Sequence, residues 1–234
     1  MADGYTTHLH AAGAAAWDAS DALLAFLNTT LKPGMRTLET GAGRSTILFA
    51  AKGCEHDVVT PSDDEVANIR AAAAVEGVSM DKVTFHLGFS QDVLPAIFQP
   101  AETIDLVFID GGHGFPIPAV DFQYTAPRIA VGGHLVMDDV DLWTGAMIVD
   151  FLKQEEGWAY EGTLKGRTAV FRKTAPWAAH EWTKQPTVVA KSWWPQTTRK
   201  VVNGLSLLMK GDLGGVAAKI SNERVLAQAA KNDF

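Results

Sequence analysis

The sequence predicts an α/β fold, with a mostly parallel sheet covered by helices on both faces and a helical extension behind it. Three observations carry this. Strand-like and helix-like runs alternate from Arg36 to Lys173. Ile104-Asp105-Leu106-Val107-Phe108-Ile109 is almost continuously apolar, as a strand buried on both faces must be. Glycine and polar residues gather after each strand-like run, on the edge where open α/β sheets bind ligands.

The elements follow in order. Ala11 to Leu31 is helix-prone, with Trp17, Leu23, Leu24 and Leu27 at helical spacing, and Pro33-Gly34 stops it. Strands are expected at Arg36–Glu39, Asp57–Thr60, Val83–Leu87, Ile104–Ile109 and Gly133–Met137. Helices are expected at Ser45–Ala51, Asp63–Glu76, Ser90–Ile97, Ala119–Ile129 and Leu142–Lys153. Trp158–Glu161 and Thr168–Lys173 read as a hairpin around Leu164-Lys165-Gly166, an antiparallel edge that brings the sheet to seven strands. Past Thr174 the character changes, with Trp177, Trp182, Trp193 and Trp194 among prolines, then helix-like stretches at Lys200–Met209 and Val216–Ala230. The chain therefore divides into a domain over 1–174 and an extension over 175–234, expected to pack on the domain or on a second copy in a homodimer. A lid over the site is the sharper alternative.

The bulk properties narrow the function. The chain has 234 residues, 47% hydrophobic and 20% charged, which suits one well-buried domain with an appendage. A net charge of −7 argues against a nucleic-acid partner held by general electrostatics. Cys54 is the only cysteine, so no internal disulfide forms. Met1-Ala2-Asp3-Gly4-Tyr5 lacks the features of a secretory signal, and no apolar run approaches the ~20 residues of a membrane span. The expected location is cytoplasmic.

Arg36-Thr37-Leu38-Glu39-Thr40-Gly41-Ala42-Gly43-Arg44-Ser45-Thr46-Ile47-Leu48 reads as a strand, a tight glycine turn and the first turn of a helix. Gly41 and Gly43 open backbone angles closed to other residues and allow close approach of a ligand. Ser45 and Thr46 fall where a helix begins, with its free N–H groups and positive dipole end. Glu39 just ahead repels phosphates and suits a cationic or amine-bearing cofactor, which points to S-adenosylmethionine. A dinucleotide fingerprint needs a third glycine where Thr46 stands, and no Walker loop is present. The bland alternative is an ordinary strand-to-helix turn.

Other chemistry-bearing residues fall on the same edge. Asp110 ends the strongest apolar strand beside Gly111-Gly112. His113 follows in a glycine-rich loop, and an imidazole suits a general base taking a proton from a substrate hydroxyl. Asp138 and Asp139 end the fifth strand and, with Asp110, form an oxygen ligand set for Mg²⁺, Mn²⁺ or Ca²⁺. The plain alternatives are a turn cap at Asp110, an exposed loop residue at His113 and a helix cap at Asp139 or Asp141. His8 and His10 read as surface residues, and Cys54 as passive.

The ordered set Glu39-x-Gly41-x-Gly43-x-Ser45-Thr46, Asp110-Gly111-x-His113 and Gly132-Gly133-His134-Leu135-Val136-Met137-Asp138-Asp139 resembles class I S-adenosylmethionine-dependent methyltransferases. It is most similar to the branch of small-molecule O-methyltransferases that includes metal-dependent enzymes acting on sugars. The resemblance covers about Leu31 to Lys173. It implies a Rossmann-like methyltransferase fold and a small-molecule acceptor, with a sugar or polyol in view. It also implies a cofactor held by Glu39, Gly41, Ala42, Gly43, Ser45 and Thr46, framed by Phe89 and Ser90 at the adenine and by Asp110 near its methionine part. His113 and Asp139 are the catalytic candidates: either His113 takes the proton, or a metal at Asp110, Asp138 and Asp139 lowers the hydroxyl pKa. One departure stands out: Pro61 replaces the acid that binds the ribose in that family, leaving Ser62 or Asp63 to substitute. Ser62 also reads as the cap of the following helix, through Ser62-x-x-Glu65. Two rivals remain: a nicotinamide-dependent oxidoreductase, which lacks an obvious Tyr/Lys pair here, and a non-catalytic scaffold that holds a partner through the Trp-rich tail.

Overall fold

A computed structural model of the chain describes residues 19–97, 103–177 and 180–212, with positions 214 and 218. Trp17, His8, His10 and nearly all of the helix expected over 216–230 lie outside them. The chain divides into two units, Met1–Ala179 and His180–Phe234.

The first unit runs α1 (Asp21–Thr30), β1 (Arg36–Thr40), α2 (Arg44–Ala51), β2 (Glu55–Thr60), α3 (Asp63–Glu76), β3 (Val83–Leu87), α4 (Ser90–Ile97), β4 (Ile104–Ile109), α5 (Ile117–Thr125), β5 (Ile129–Met137), α6 (Trp143–Leu152), β6 (Trp158–Leu164) and β7 (Thr168–Lys173). The seven strands form one sheet in the order β3-β2-β1-β4-β5-β7-β6. β7 pairs antiparallel with β5 and with β6, and the other pairings are parallel. Strand order reverses between β1 and β4, which opens a crevice at their carboxyl ends.

β4 shows why the sheet is central. Leu106 and Phe108 face one core layer with Leu23, Leu27 and Phe49, while Val107 and Ile109 face the other with Leu94, Leu135 and Ile148. Alternate side chains point to opposite faces, so a strand with helices on both sides must be apolar throughout. Each fully buried side chain of this size contributes roughly 1.5–3 kcal/mol.

The boundaries depart from the sequence reading in instructive places. The expected helix over Ala119–Ile129 ends at Thr125, passes through a 3-10 turn at Ala126–Arg128 and gives Ile129 to β5. The buried Lys173 side chain donates to the Ala126 and Pro127 carbonyls at 3.1 Å each, satisfying groups that the helix end leaves free. Trp177, read as part of the extension, is buried in the first unit against Phe122, Phe151 and Trp158. In the second unit, the helix expected from Lys200 begins earlier, as α7 (Pro186–Met209), and runs through Pro195. Among the described residues, no helix is long and apolar enough to cross a membrane.

Candidate active site

The glycine turn is built by close packing between β1 and β4. Gly41 has φ +85°, and a Cβ there would sit 2.3 Å from the Asp110 carbonyl oxygen. The Asp110 N–H donates to the Thr40 carbonyl at 2.9 Å, so the two strand ends are locked together. Gly41 is thus demanded by the neighbouring backbone, and it also lines the cavity above the turn. Gly43 differs: a Cβ there would meet nothing within 4 Å.

Glu39 is 1% exposed and does not reach the cavity. Its carboxylate accepts from the Ser45 hydroxyl, from Thr46 Oγ1 at 2.6 Å and contacts His56 Nε2 at 3.3 Å. Thr46 Oγ1 in turn accepts from the Gly43 N–H at 3.1 Å. Thr46 therefore holds the turn from below, where a dinucleotide fold would place a glycine. Sequence reasoning missed His56, which pairs with Thr37 Oγ1 at 2.8 Å and stacks on Phe49 with ring centroids 4.1 Å apart. Its only signal is a polar residue at an inward position of β2.

Above the turn lies a cavity of about 500 Å³ at the switch in strand order. Ala42, Gly43 and Ser45 form one wall, and Phe89, Ser90 and Asp110 line others. Its volume falls in the range of small-molecule sites. Phe89, 60% exposed, stands at the lip, whereas Ser90 is buried. Ser62 lines the cavity and also caps α3, its Oγ accepting from the Glu65 N–H at 3.2 Å. The Glu65 carboxylate accepts from Thr60 Oγ1 at 2.9 Å and lines the cavity beside Pro61. An acid therefore does stand at the end of β2, delivered from the first turn of α3.

At the β4–β5 side, ligand atoms of Asp110, His113 and Asp139 lie within 4.8 Å of one another. His113 Nε2 meets Asp139 Oδ2 at 2.9 Å, and Arg167 Nε meets Asp139 Oδ1 at 2.8 Å. Asp138 turns elsewhere, accepting from Thr168 Oγ1 at 2.6 Å and lying 3.4 Å from Arg167 Nε. The expected trio of Asp110, Asp138 and Asp139 is thus replaced in space by Asp110, His113 and Asp139. The reason is local: consecutive residues leaving a strand point to opposite sides, and Asp139 adopts φ 52°. That left-handed backbone is braced by α6, where a Cβ on Gly145 would sit 2.9 Å from the Asp139 carbonyl.

The carboxylates are crowded. Burial first, then the charges of Asp138, Glu39 and Asp139, push the Asp110 carboxyl well above its usual range, against the opposing pull of Arg167. Asp121, also missed from the sequence, lies fully buried behind Gly111, with Oδ2 3.4 Å from where a Gly111 Cβ would stand. Burial raises its carboxyl, while the nearby Ser90 and Thr40 hydroxyls and His113 pull the other way. Among the described residues, neither Asp121 oxygen has a hydrogen-bond partner of good geometry. A charged residue among the apolar positions of α5 was the available signal.

Comparison with known proteins agrees with this architecture. Residues 38–140 match the profile of a methyltransferase domain family. No curated protein matches the sequence. The structure is similar to the O-methyltransferase TomG from Streptomyces achromogenes, at 20% identity and TM-score 0.52, covering 66% of this chain and 79% of that one. It is similar to an O-methyltransferase from Bacillus cereus, at 19% identity and TM-score 0.53, covering 68% and 84%. An rRNA methylase from Streptococcus thermophilus resembles it at 12% identity and TM-score 0.51, covering 65% and 94%. Strand order, glycine turn and profile match converge: the first unit has the Rossmann-like methyltransferase fold, and its residues 38–140 match a methyltransferase domain.

Proposed function

We propose that this protein methylates a hydroxyl oxygen of a small molecule, with S-adenosylmethionine as donor. The observation that carries the reading is the shared edge: the glycine-turn cavity ends at Asp110 and His113, and His113 pairs with Asp139. The two similar O-methyltransferase structures contain S-adenosylmethionine and its demethylated product, which supports the donor. The cavity fits it: its size suits such a molecule, Gly43 leaves open space, and Glu65 offers ribose hydroxyls a carboxylate in place of an acid at Pro61.

When bound, the donor supplies a methyl on a cationic sulfur, and the acceptor oxygen takes that methyl as the carbon–sulfur bond breaks, leaving S-adenosylhomocysteine. The protein's part is placement and proton removal. His113 accepts the hydroxyl proton. Asp139 holds the imidazole by its Nε2 and stabilises the charge that the ring gains. Thr144 Oγ1 donates to the His113 carbonyl at 2.7 Å, tying the loop to α6.

Asp110, His113 and Asp139 also fit a divalent metal, two carboxylates and an imidazole converging on one point. A metal there would lower the pKa of a bound hydroxyl. A nucleic-acid acceptor is disfavoured by the net charge of −7 and by the carboxylates at this rim.

Calorimetry tests the reading. S-adenosylmethionine and its product should bind the full-length protein and NAD should not. Gly43→Val should weaken binding at least tenfold with the melting temperature unchanged. A protein that binds neither methyl donor nor product would overturn it.

A further inference from the structure

In the second unit, α7 carries an apolar stripe that stands in the open. Trp194, Val201, Val202, Leu205 and Met209 are each more than half exposed. They fall at i, i+7, i+8, i+11 and i+15 of one continuous helix, which gathers them within an arc of about 100°. The stripe runs about 23 Å along the helix axis. Arg199 and Lys210, both exposed, stand 11 residues apart and so flank the same edge of it. Trp193 widens the other edge, its ring centroid 5.7 Å from that of Trp194.

Charge says what this face fits. From Pro186 to Gly211 the chain holds Lys191, Arg199, Lys200 and Lys210 and no Asp or Glu, although its net charge is −7. The complementary surface is therefore apolar beneath and anionic at its rim. A second copy of α7 covers the apolar stripe in water but brings no acid to these cations. A single-stranded RNA meets the cations and stacks on the tryptophans, but gives the aliphatic Val201, Val202, Leu205 and Met209 nothing to pack on. A bilayer with anionic headgroups supplies both layers at once. Tryptophan suits the boundary between them, an apolar ring with one N–H that seeks a polar partner. Thr197, Thr198, Arg199 and Asn203 interrupt the apolar residues, and no described helix is long and apolar enough to cross a membrane. A helix of this composition lies flat in the interface.

We propose that α7 is a peripheral membrane-binding helix. It lies along an anionic bilayer, with Trp194, Val201, Val202, Leu205 and Met209 in the boundary between headgroups and acyl chains and with Arg199 and Lys210 at the lipid phosphates. The bilayer then takes the place of the second copy that covers the stripe in water.

The test pelletes full-length protein with vesicles of phosphatidylcholine alone or of an equal mixture of phosphatidylcholine and phosphatidylglycerol, with single-stranded poly(U) as a competitor. Protein should pellet with the mixture and stay in solution with phosphatidylcholine. Salt at 1 M, where the Debye length is about 3 Å, should release most of it. Trp194→Ala and Leu205→Ala should each weaken partitioning about tenfold, as expected for an apolar side chain withdrawn from lipid. Arg199→Gln and Lys210→Gln should each weaken it about fivefold, and Arg199→Lys should restore it. All of these positions are exposed, so the melting temperature should not move. No pelleting with either vesicle, equal pelleting with both, indifference to the Trp194 and Leu205 variants, or capture by poly(U) in preference to the anionic vesicle would overturn the proposal.

Discussion

His113 joins the two halves of the site, since it lines the cavity and pairs with Asp139 at 2.9 Å. His113→Ala should lower turnover about 10²–10⁴-fold while S-adenosylhomocysteine affinity, measured by calorimetry, stays near wild type. If a metal occupies the trio, EDTA should abolish activity and Asp139→Asn should weaken metal binding. Glu65 makes a separate claim at the ribose end: Glu65→Gln should weaken product binding several-fold without touching turnover at saturation. Asp121 offers a pH test. Its carboxyl is raised by burial, so the folded state holds the proton more tightly than the unfolded chain does. The stability it contributes is fully present in acid, below the unfolded carboxylate pKa, and is lost as pH rises through the raised folded value. Asp121→Asn should therefore raise the melting temperature at pH 7.5 more than at pH 4.5, read by calorimetry across that range. Equal shifts at both values would show that its charge plays no part.

At the scale of elements, two glycines two residues apart do different work. Gly41 sits at φ +85° with the Asp110 carbonyl 2.3 Å from any added Cβ, so Gly41→Ala should destabilise the domain by at least about 1–3 kcal/mol. Gly43 has open space, so filling it should remove ligand binding and leave stability alone. Denaturant unfolding of the pair separates the position that backbone packing constrains from the one that it leaves open. Lys173 does comparable work at the end of α5. Burial lowers its amine below the usual value, and it is kept by two carbonyls that the helix cannot satisfy. Lys173→Ala should cost about 1–3 kcal/mol by leaving those carbonyls unpaired.

At the scale of the molecule, the first unit extends to Ala179, past the division expected at Thr174. Trp177 belongs to its core. A chain ended after Thr174 should therefore lose about 3–5 kcal/mol relative to one ended after Ala179, as for removal of a buried tryptophan. Thermal unfolding of the two would read the difference directly. The second unit carries exposed Trp193, Trp194, Val201, Val202 and Leu205 on α7, an apolar surface of the kind that marks association. Light scattering should find a dimer for the full chain and a monomer for the chain ended after Ala179.

The sequence by itself determined the order of strands and helices and the edge on which function falls. Those properties are written in local patterns: the continuous apolar run of Ile104–Ile109, the breaks at Pro33-Gly34, and the glycine turn after Glu39. The sequence reading also located α3 and α4 to the residue, and α3 is bounded by its Ser62 and Gly77 caps. The site was legible as a set of positions and illegible as a set of directions. Only the tertiary structure turned Glu39 inward to Thr46, sent Asp138 to Thr168 and brought His113 to Asp139. It alone delivered Glu65 beside Pro61 from the next helix, and put Asp121 behind Gly111. A side chain's direction depends on backbone angles at strand ends and on what packs behind it. Those are set by contacts between residues far apart in the chain, such as the approach of Gly145 to Asp139, which a local pattern does not encode.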